Sequence, residues 1–282
     1  MIEALAKKTM ARLAQIQVFA LDLDGTLYLG NEVFPFTARF LESLRELGKS
    51  CVFVTNNSAA SPRDYWLKLK GMGIETTLED IYTSGRASIE YLLAQGGPQP
   101  IFLLGTESLQ RQFQEAGFET QAAAPDFVVL GFDKTFTWER FDLACRHLRR
   151  GVRFIATHPD LNCPLPGHDL QPDCGALTAA FTAATGVAPI VIGKPEPHLY
   201  RSIQQRFGIS AAELAMVGDR LETDIAAGPR NGIFTVLVLT GVTTRAQAWH
   251  AAPQPDLMLE TCMDLIPLLR QAQRERSAAR RR

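Results

Sequence analysis

The chain carries almost no net charge: 29 Lys and Arg stand against 30 Asp and Glu, which leaves −1. That balance gives no global field to attract a nucleic-acid polymer or an anionic membrane surface. Cysteine is scarce and odd in number, with Cys51, Cys145, Cys163, Cys174 and Cys262 widely spaced. Such usage argues against a disulfide framework and for a reducing, cytoplasmic setting. No stretch approaches the roughly 18–20 apolar residues of a membrane-spanning helix. Internal repeats and low-complexity tracts are also missing, which excludes solenoids and arrays. The first 17 residues mix Lys7, Lys8 and Arg12 with Ile2, Leu5, Leu13 and Ile16. They predict a short amphipathic helix and lack the apolar centre of a signal peptide.

What is present is ordinary globular composition over 282 residues, 46% apolar and 21% charged. At about 150 residues per domain this length suits two domains, with enough chain to bury cores without staples. Short apolar runs alternate with helical stretches, the pattern of a parallel α/β sheet. Val18–Leu21 is continuous and apolar, as in a strand covered on both faces. A helix is expected from about Pro35 to Leu47, then a strand over Cys51–Val54, then a helix after Ser61-Pro62. The later part repeats the grammar: helix Pro197–Phe207, strand Leu214–Val217, helix Leu221–Ala227 closed by Gly228, and strand Phe234–Leu239. Between them, strands at 101–104, 127–130 and 152–155 and helices near 85–95, 107–116, 137–149 and 175–185 predict a second α/β unit. The Arg-rich end, Arg270 to Arg282, predicts a solvated, frayed helix terminus.

The chemistry gathers at predicted strand ends, where ligands collect in open α/β sheets. After the first strand comes Asp22-Leu23-Asp24-Gly25-Thr26. Residues two apart on an extended chain face the same side, so Asp22 and Asp24 face one point while Leu23 faces the core. Adjacent carboxylates repel unless a cation lies between them, and a hard divalent ion such as Mg²⁺ resolves the conflict. A solvated turn bearing two acids is the plain alternative. A second strand ends in Gly218-Asp219, with Asp224 five residues on. Asp224 alone also reads as an acid at a helix start. Thr55-Asn56-Asn57-Ser58 offers hydroxyl, amide and backbone donors to a phosphate, or forms an Asn-rich turn. Lys194, in Gly193-Lys194-Pro195-Glu196-Pro197, precedes a helix and can pair with a phosphoryl oxygen.

The order DLDGT, TNNS, GKPEP, GDRLETD resembles the haloacid dehalogenase-like phosphatase superfamily over nearly the whole chain. The long insert before Lys194 is similar to its type IIA branch, which includes para-nitrophenyl phosphatases, phosphoglycolate phosphatases and ribonucleotide or sugar-phosphate phosphatases. The resemblance implies a Rossmann-like parallel-sheet core, residues 1–82 and 189–282, with a large inserted α/β cap, 83–188, that selects the substrate. It implies Asp22 as the nucleophile that forms an aspartyl-phosphate and Asp24 as the general acid and base. Thr55, Asn56, Asn57 and Lys194 are then the phosphoryl-binding group. Asp22, Asp24 through its carbonyl, and Asp219 are the Mg²⁺ ligands, with Asp224 acting through water or behind them. The superfamily's dehalogenases lack an acid at the position of Asp24, so dehalogenation is disfavoured.

Expected partners are a small phosphorylated metabolite, no nucleic acid and no membrane, in a monomer or homodimer. Two other classes stay open: a regulatory module that accepts a phosphoryl group, and a non-catalytic phosphometabolite-binding protein. Asp24 and the cap argue against the first. In the insert, Gly131–Thr135 and the proline-rich run 158–175 are candidate substrate segments, the latter read as a long irregular loop. That run also holds His158, Cys163, His168 and Cys174, all zinc-ligand types, but without paired C-x2-4-C spacing. Core packing is the expected role of Phe132 and Trp138.

Overall fold

The structure is a computed structural model that describes residues 2–164 and 169–280. Fourteen strands occur among the described residues: β1 (Val18–Asp22), β2 (Tyr28–Leu29), β3 (Glu32–Val33), β4 (Ser50–Thr55), β5 (Ile81–Thr83), β6 (Ile101–Leu104), β7 (Phe127–Leu130), β8 (Arg153–Ala156), β9 (Asn162–Pro164), β10 (Leu170–Pro172), β11 (Ile190–Val191), β12 (Leu214–Gly218), β13 (Phe234–Val238) and β14 (Leu257–Leu259). The larger sheet is parallel and six strands wide, ordered β14-β13-β12-β1-β4-β5. A separate parallel sheet runs β11-β8-β7-β6. This is the α/β architecture that the alternating apolar runs predict, because parallel strands need crossover helices and bury both faces.

The chain divides into two compact units, Met1–Val54 with Leu69–Thr76 and Ile203–Arg282, and Thr55–Lys68 with Thr77–Ser202. In the first, every residue of β1, β12 and β13 is buried. Chain order places β4 on one side of β1 and β12 on the other. The winding therefore reverses at β1, and the carboxyl end of that strand is the crevice where such sheets bind ligands. The N-terminal helix Ile2–Leu13 forms as its apolar spacing predicts. The C-terminal helix runs Leu265–Arg280. It is tied down along part of its length, since Arg276 Nη1 donates to Ala14 O at 2.8 Å and Gln273 Nε2 to Leu47 O at 3.1 Å.

The second unit has its own core. Phe102, Leu104, Val128, Leu130, Phe154 and Phe181 are buried together. Its helices start where a threonine or aspartate caps them: Thr83, Thr106, Thr137 and Asp173 each accept a backbone N–H of the first turn. Helix Cys174–Thr185 stops at Gly186, whose φ of +75° suits glycine.

Three local expectations change. The stretch from Leu221 is not one regular helix closed by Gly228. A wide π-type turn covers Leu221–Ile225, a short α-helix covers Ala227–Asn231, and Gly232 ends it. Ile225 N–H and Ala226 N–H reach back five residues, to Arg220 O and Leu221 O, because the Asp224 carboxylate folds onto the backbone N–H of Arg220. The run 158–175 is not wholly irregular: β9 and β10 pair antiparallel within it. Trp138 is 73% exposed rather than core. It opens its helix immediately after the cap Thr137, where the first turn faces solvent, with its ring tilted against that of Phe141 at 5.7 Å between centroids.

Candidate active site

Asp22 is the last residue of β1 and is 8% exposed. Leu23 turns into the core and Asp24 turns out to solvent, so the extended run ends between the two acids. Gly25 then reverses the chain at φ +85°. Its N–H donates to Tyr28 O at 2.8 Å. A Cβ at this position would also stand 2.5 Å from Asp219 Oδ2, so the glycine supplies room as well as backbone freedom.

Asp219 follows β12 and is 1% exposed. Val242 N–H donates to its Oδ2 at 2.6 Å, and Thr243 N–H to its backbone oxygen at 3.3 Å. The 240–243 loop is thus moulded on this aspartate, and Thr240 Oγ1 fastens the same loop to Gly25 O at 2.5 Å. Gly241 lies so close that a Cβ there would strike the Asp219 carboxylate. Asp224 is fully buried, and Arg220 N–H donates to its Oδ2 at 3.1 Å. Gly218 makes space for it: a Cβ at 218 would lie 2.7 Å from Asp224 Cβ.

Asp22, Asp219 and Asp224 each offer a carboxylate oxygen within 4.8 Å of the others. All three are buried. Three like charges held this close out of water repel strongly unless a cation joins them. The donor set is oxygen only, and the span suits one hard ion with metal–oxygen bonds of about 2.1–2.5 Å. The site therefore fits a divalent metal of the kind that the sequence resemblance implies. Asp24 stands outside this cluster by its side chain.

The remaining expected residues lie in the second unit. Thr55 ends β4, one residue past Val54, the register partner of Asp22. Its Oγ1 accepts Asn57 N–H at 3.2 Å, and Asn57 Oδ1 accepts Ala59 N–H at 2.8 Å, so the segment is a chain of side-chain-stabilised turns. Lys194 is 2% exposed. Asn56 pairs with it on both sides of the backbone: Lys194 N–H donates to Asn56 Oδ1 at 2.8 Å and Asn56 Nδ2 donates to Lys194 O at 3.0 Å. Thr55, Asn56 and Lys194 are thus all at least nine-tenths buried, although 138 residues separate the last two.

Several residues beside these lie in segments singled out from the sequence, but without an individual role assigned to them there. Asp160 accepts the second Asn56 Nδ2 hydrogen at 2.7 Å. Ser58 Oγ accepts Phe132 N–H at 2.9 Å and pairs with Thr157 Oγ1 at 3.0 Å. Asp133 is held by Arg140 at 3.0 Å. Of the four zinc-ligand types in the insert, His158 has both ring nitrogens engaged, with Thr157 Oγ1 at 2.8 Å and Asp173 Oδ1 at 2.9 Å. Burial pushes the Cys174 thiol up to about 12, which keeps it protonated. His168 lies outside the described residues. Among the described residues, the only cluster of three metal-ligand side chains is the aspartate one.

Two family models match the chain: haloacid dehalogenase-like hydrolase over residues 19–119 and HAD-hydrolase-like over 191–265. Curated relatives include the 5'-nucleotidase YutF of Bacillus subtilis, 34% identical over 89% of this chain and 98% of the relative. The chain belongs to the haloacid dehalogenase-like hydrolases. Within this family it falls in the type IIA, NagD-like branch of phosphatases. An acid sugar phosphatase of Staphylococcus aureus is 36% identical over 82% of this chain and 89% of its own length. A solved 4-nitrophenylphosphatase from Thermotoga maritima superposes with a TM-score of 0.88 at 43% identity, covering 92% of this chain and 99% of that one. No described helix is long and apolar enough to cross a membrane.

Proposed function

We propose that this hydrolase is a Mg²⁺-dependent phosphatase that cleaves small phosphate monoesters through an aspartyl-phosphate on Asp22. The class of substrate is a sugar phosphate, phosphoglycolate or a nucleotide monophosphate. The observation that carries the reading is the buried Asp22–Asp219–Asp224 cluster at the carboxyl ends of β1 and β12. Relatives named 5'-nucleotidase, dihydroxyacetone phosphatase and acid sugar phosphatase support the small-ester class.

In this account one Asp22 oxygen attacks phosphorus and the bond to the ester oxygen breaks. Asp24 gives its proton to the departing alkoxide, which is otherwise a poor leaving group. The Asp24 carboxylate then takes a proton from the water that attacks phosphorus, inorganic phosphate leaves, and Asp22 is regenerated. Exposure of Asp24 suits that exchange with solvent and substrate. A carboxylate nucleophile divides a difficult hydrolysis into two easier steps. Thr55, Asn57 and Lys194 form the phosphoryl-binding group with Asn56 beside them; Thr55 and Lys194 touch the phosphoryl oxygens, and the lysine offsets negative charge. Mg²⁺, held by Asp22, the Asp24 carbonyl and Asp219 with Asp224 behind or through water, would supply the positive charge that lets two anions meet.

The test is turnover of para-nitrophenyl phosphate by the purified chain. Hydrolysis should need Mg²⁺, stop on chelation and return when Mg²⁺ is restored. A panel of phosphate esters, compared by kcat/KM, then names the substrate. Full activity after exhaustive chelation would contradict the metal assignment, and no hydrolysis of any ester would contradict the phosphatase reading.

A further inference from the structure

We propose that Asn56 is a positioning residue whose side-chain amide sets Lys194 in place and is itself set by Asp160, instead of binding the phosphoryl group. This deepens the phosphatase reading and rests on it for the role of Lys194. An asparagine amide has two N–H donors. In Asn56 both are used, one on Lys194 O at 3.0 Å and one on Asp160 Oδ2 at 2.7 Å, while Oδ1 accepts Lys194 N–H at 2.8 Å. The partners fix which way the amide faces, because a carbonyl and a carboxylate only accept and a backbone N–H only donates. No amide hydrogen is left for a phosphate oxygen.

The arrangement is a two-point grip on one residue's backbone, like a single rung of a sheet. It requires close approach, and Gly193 permits it. A Cβ at 193 would stand 2.6 Å from Asn56 Oδ1 and 2.7 Å from Thr157 O. Gly193 N–H also donates to Thr157 O at 2.8 Å, so the lysine's segment is registered on the end of β8 before Asn56 closes on it.

Asp160 is held just as firmly. Gly175 N–H, in the first turn of helix Cys174–Thr185, donates to Asp160 O at 2.8 Å. Asp173, the cap of that helix, accepts Cys174 N–H at 2.6 Å and pairs with the buried His158 at 2.9 Å. The backbone of Asp160, whose carboxylate meets the Asn56 amide, is therefore tied to the start of this helix. A residue of the candidate substrate segment reaches the phosphoryl-binding lysine through one amide.

The experiment uses the full chain. Hydrogen exchange in the ligand-free protein is read on peptides spanning Gly193–Glu196, and kcat/KM for para-nitrophenyl phosphate with Mg²⁺ is read in a double-mutant cycle. Asn56→Ala should speed exchange at Lys194 N–H by about tenfold or more, since that bond is lost. It should lower kcat/KM by about 10–100-fold alone but by less than about threefold when Lys194 is already Ala, the mark of two residues acting as one. Asp160→Asn keeps an oxygen acceptor and should retain most activity, whereas Asp160→Ala should lose more and raise the same exchange. Asp160→Ala leaves the buried Asn56 side chain intact, so it serves if Asn56→Ala does not fold. Losses that multiply in the cycle, or unchanged exchange at Lys194 in the folded variants, would overturn the proposal and put the amide on the phosphate. Absence of turnover in the wild type would instead sink the phosphatase reading, leaving the exchange result to decide the positioning claim.

Discussion

Gly241→Ala tests the metal pocket without replacing any proposed ligand. The backbone at 241 is outside the left-handed region, so alanine brings no conformational strain there. Its new methyl would stand 2.5 Å from Asp219 Cγ and 2.8 Å from Asp219 Cβ. Ordinary carbon contacts lie at about 3.5–4.0 Å, so the aspartate must retreat by roughly 1 Å. That retreat breaks the 2.6 Å bond from Val242 N–H, a charge-assisted bond of about 1.5–3 kcal/mol. It also draws one of three carboxylates away from the shared point. Loss of such support around a metal typically costs about 10–100-fold in affinity. The assay is turnover of para-nitrophenyl phosphate against Mg²⁺ concentration, with the half-saturation point read for both proteins. Half-saturation should move up by that factor, with activity largely regained in excess Mg²⁺. An unchanged half-saturation and unchanged turnover would refute the claim that Asp219 is a metal ligand held by the 240–243 loop.

Other perturbations test the fold and its electrostatics. His147 is 4% exposed beside the Phe102 ring, and burial followed by Arg150 lowers its pKa below the usual 6.5. The folded state favours the neutral ring, so the stability it contributes is present above about pH 6.5 and is lost as pH falls through the folded value. Denaturant melts at pH 7.5 and 5.5 should show a smaller pH effect for His147→Gln, and an equal effect would discount this histidine. Phe181 is fully buried with its ring 4.6 Å from Phe141 and 5.7 Å from Phe154. Phe181→Ala should cost about 3–5 kcal/mol, and a loss below about 1 kcal/mol would mean that this core is not packed as described. Cys145, Cys174 and Cys262 are buried, with Cys174 pushed up to about 12. A thiol reagent at neutral pH should therefore label Cys51 and Cys163 first and the other three only on unfolding; early labelling of Cys174 would contradict its environment.

The sheet was legible because its central strands are short, continuous and apolar, and each ends in a polar motif. DLDGT and GDRLETD could be read as convergent acids since strands of a parallel sheet deliver their carboxyl ends to one rim. The wide turn at Leu221–Ile225 was hidden: its cause is Asp224 reaching back to Arg220 N–H, which depends on a site and not on helix propensity. The β9–β10 pairing escaped because three-residue strands between prolines carry no period. Trp138 misled for a simple reason, that a large aromatic says core until its place at the exposed first turn is known. Gly193 stood in the GKPEP motif and Asp160 in the run 158–175, but neither had a role of its own in the sequence. Their role exists only once Asn56 and Lys194, far apart in the chain, are brought into one hydrogen-bonded pair.

The most direct test of the mechanism is a rapid acid quench during turnover, followed by peptide mapping. With substrate and Mg²⁺, the peptide containing Asp22 should carry the added mass of one phosphoryl group, and the Asp22→Asn protein should fold normally, carry none and turn over no ester. A phosphoryl group on another side chain, or substantial turnover by folded Asp22→Asn, would contradict the account.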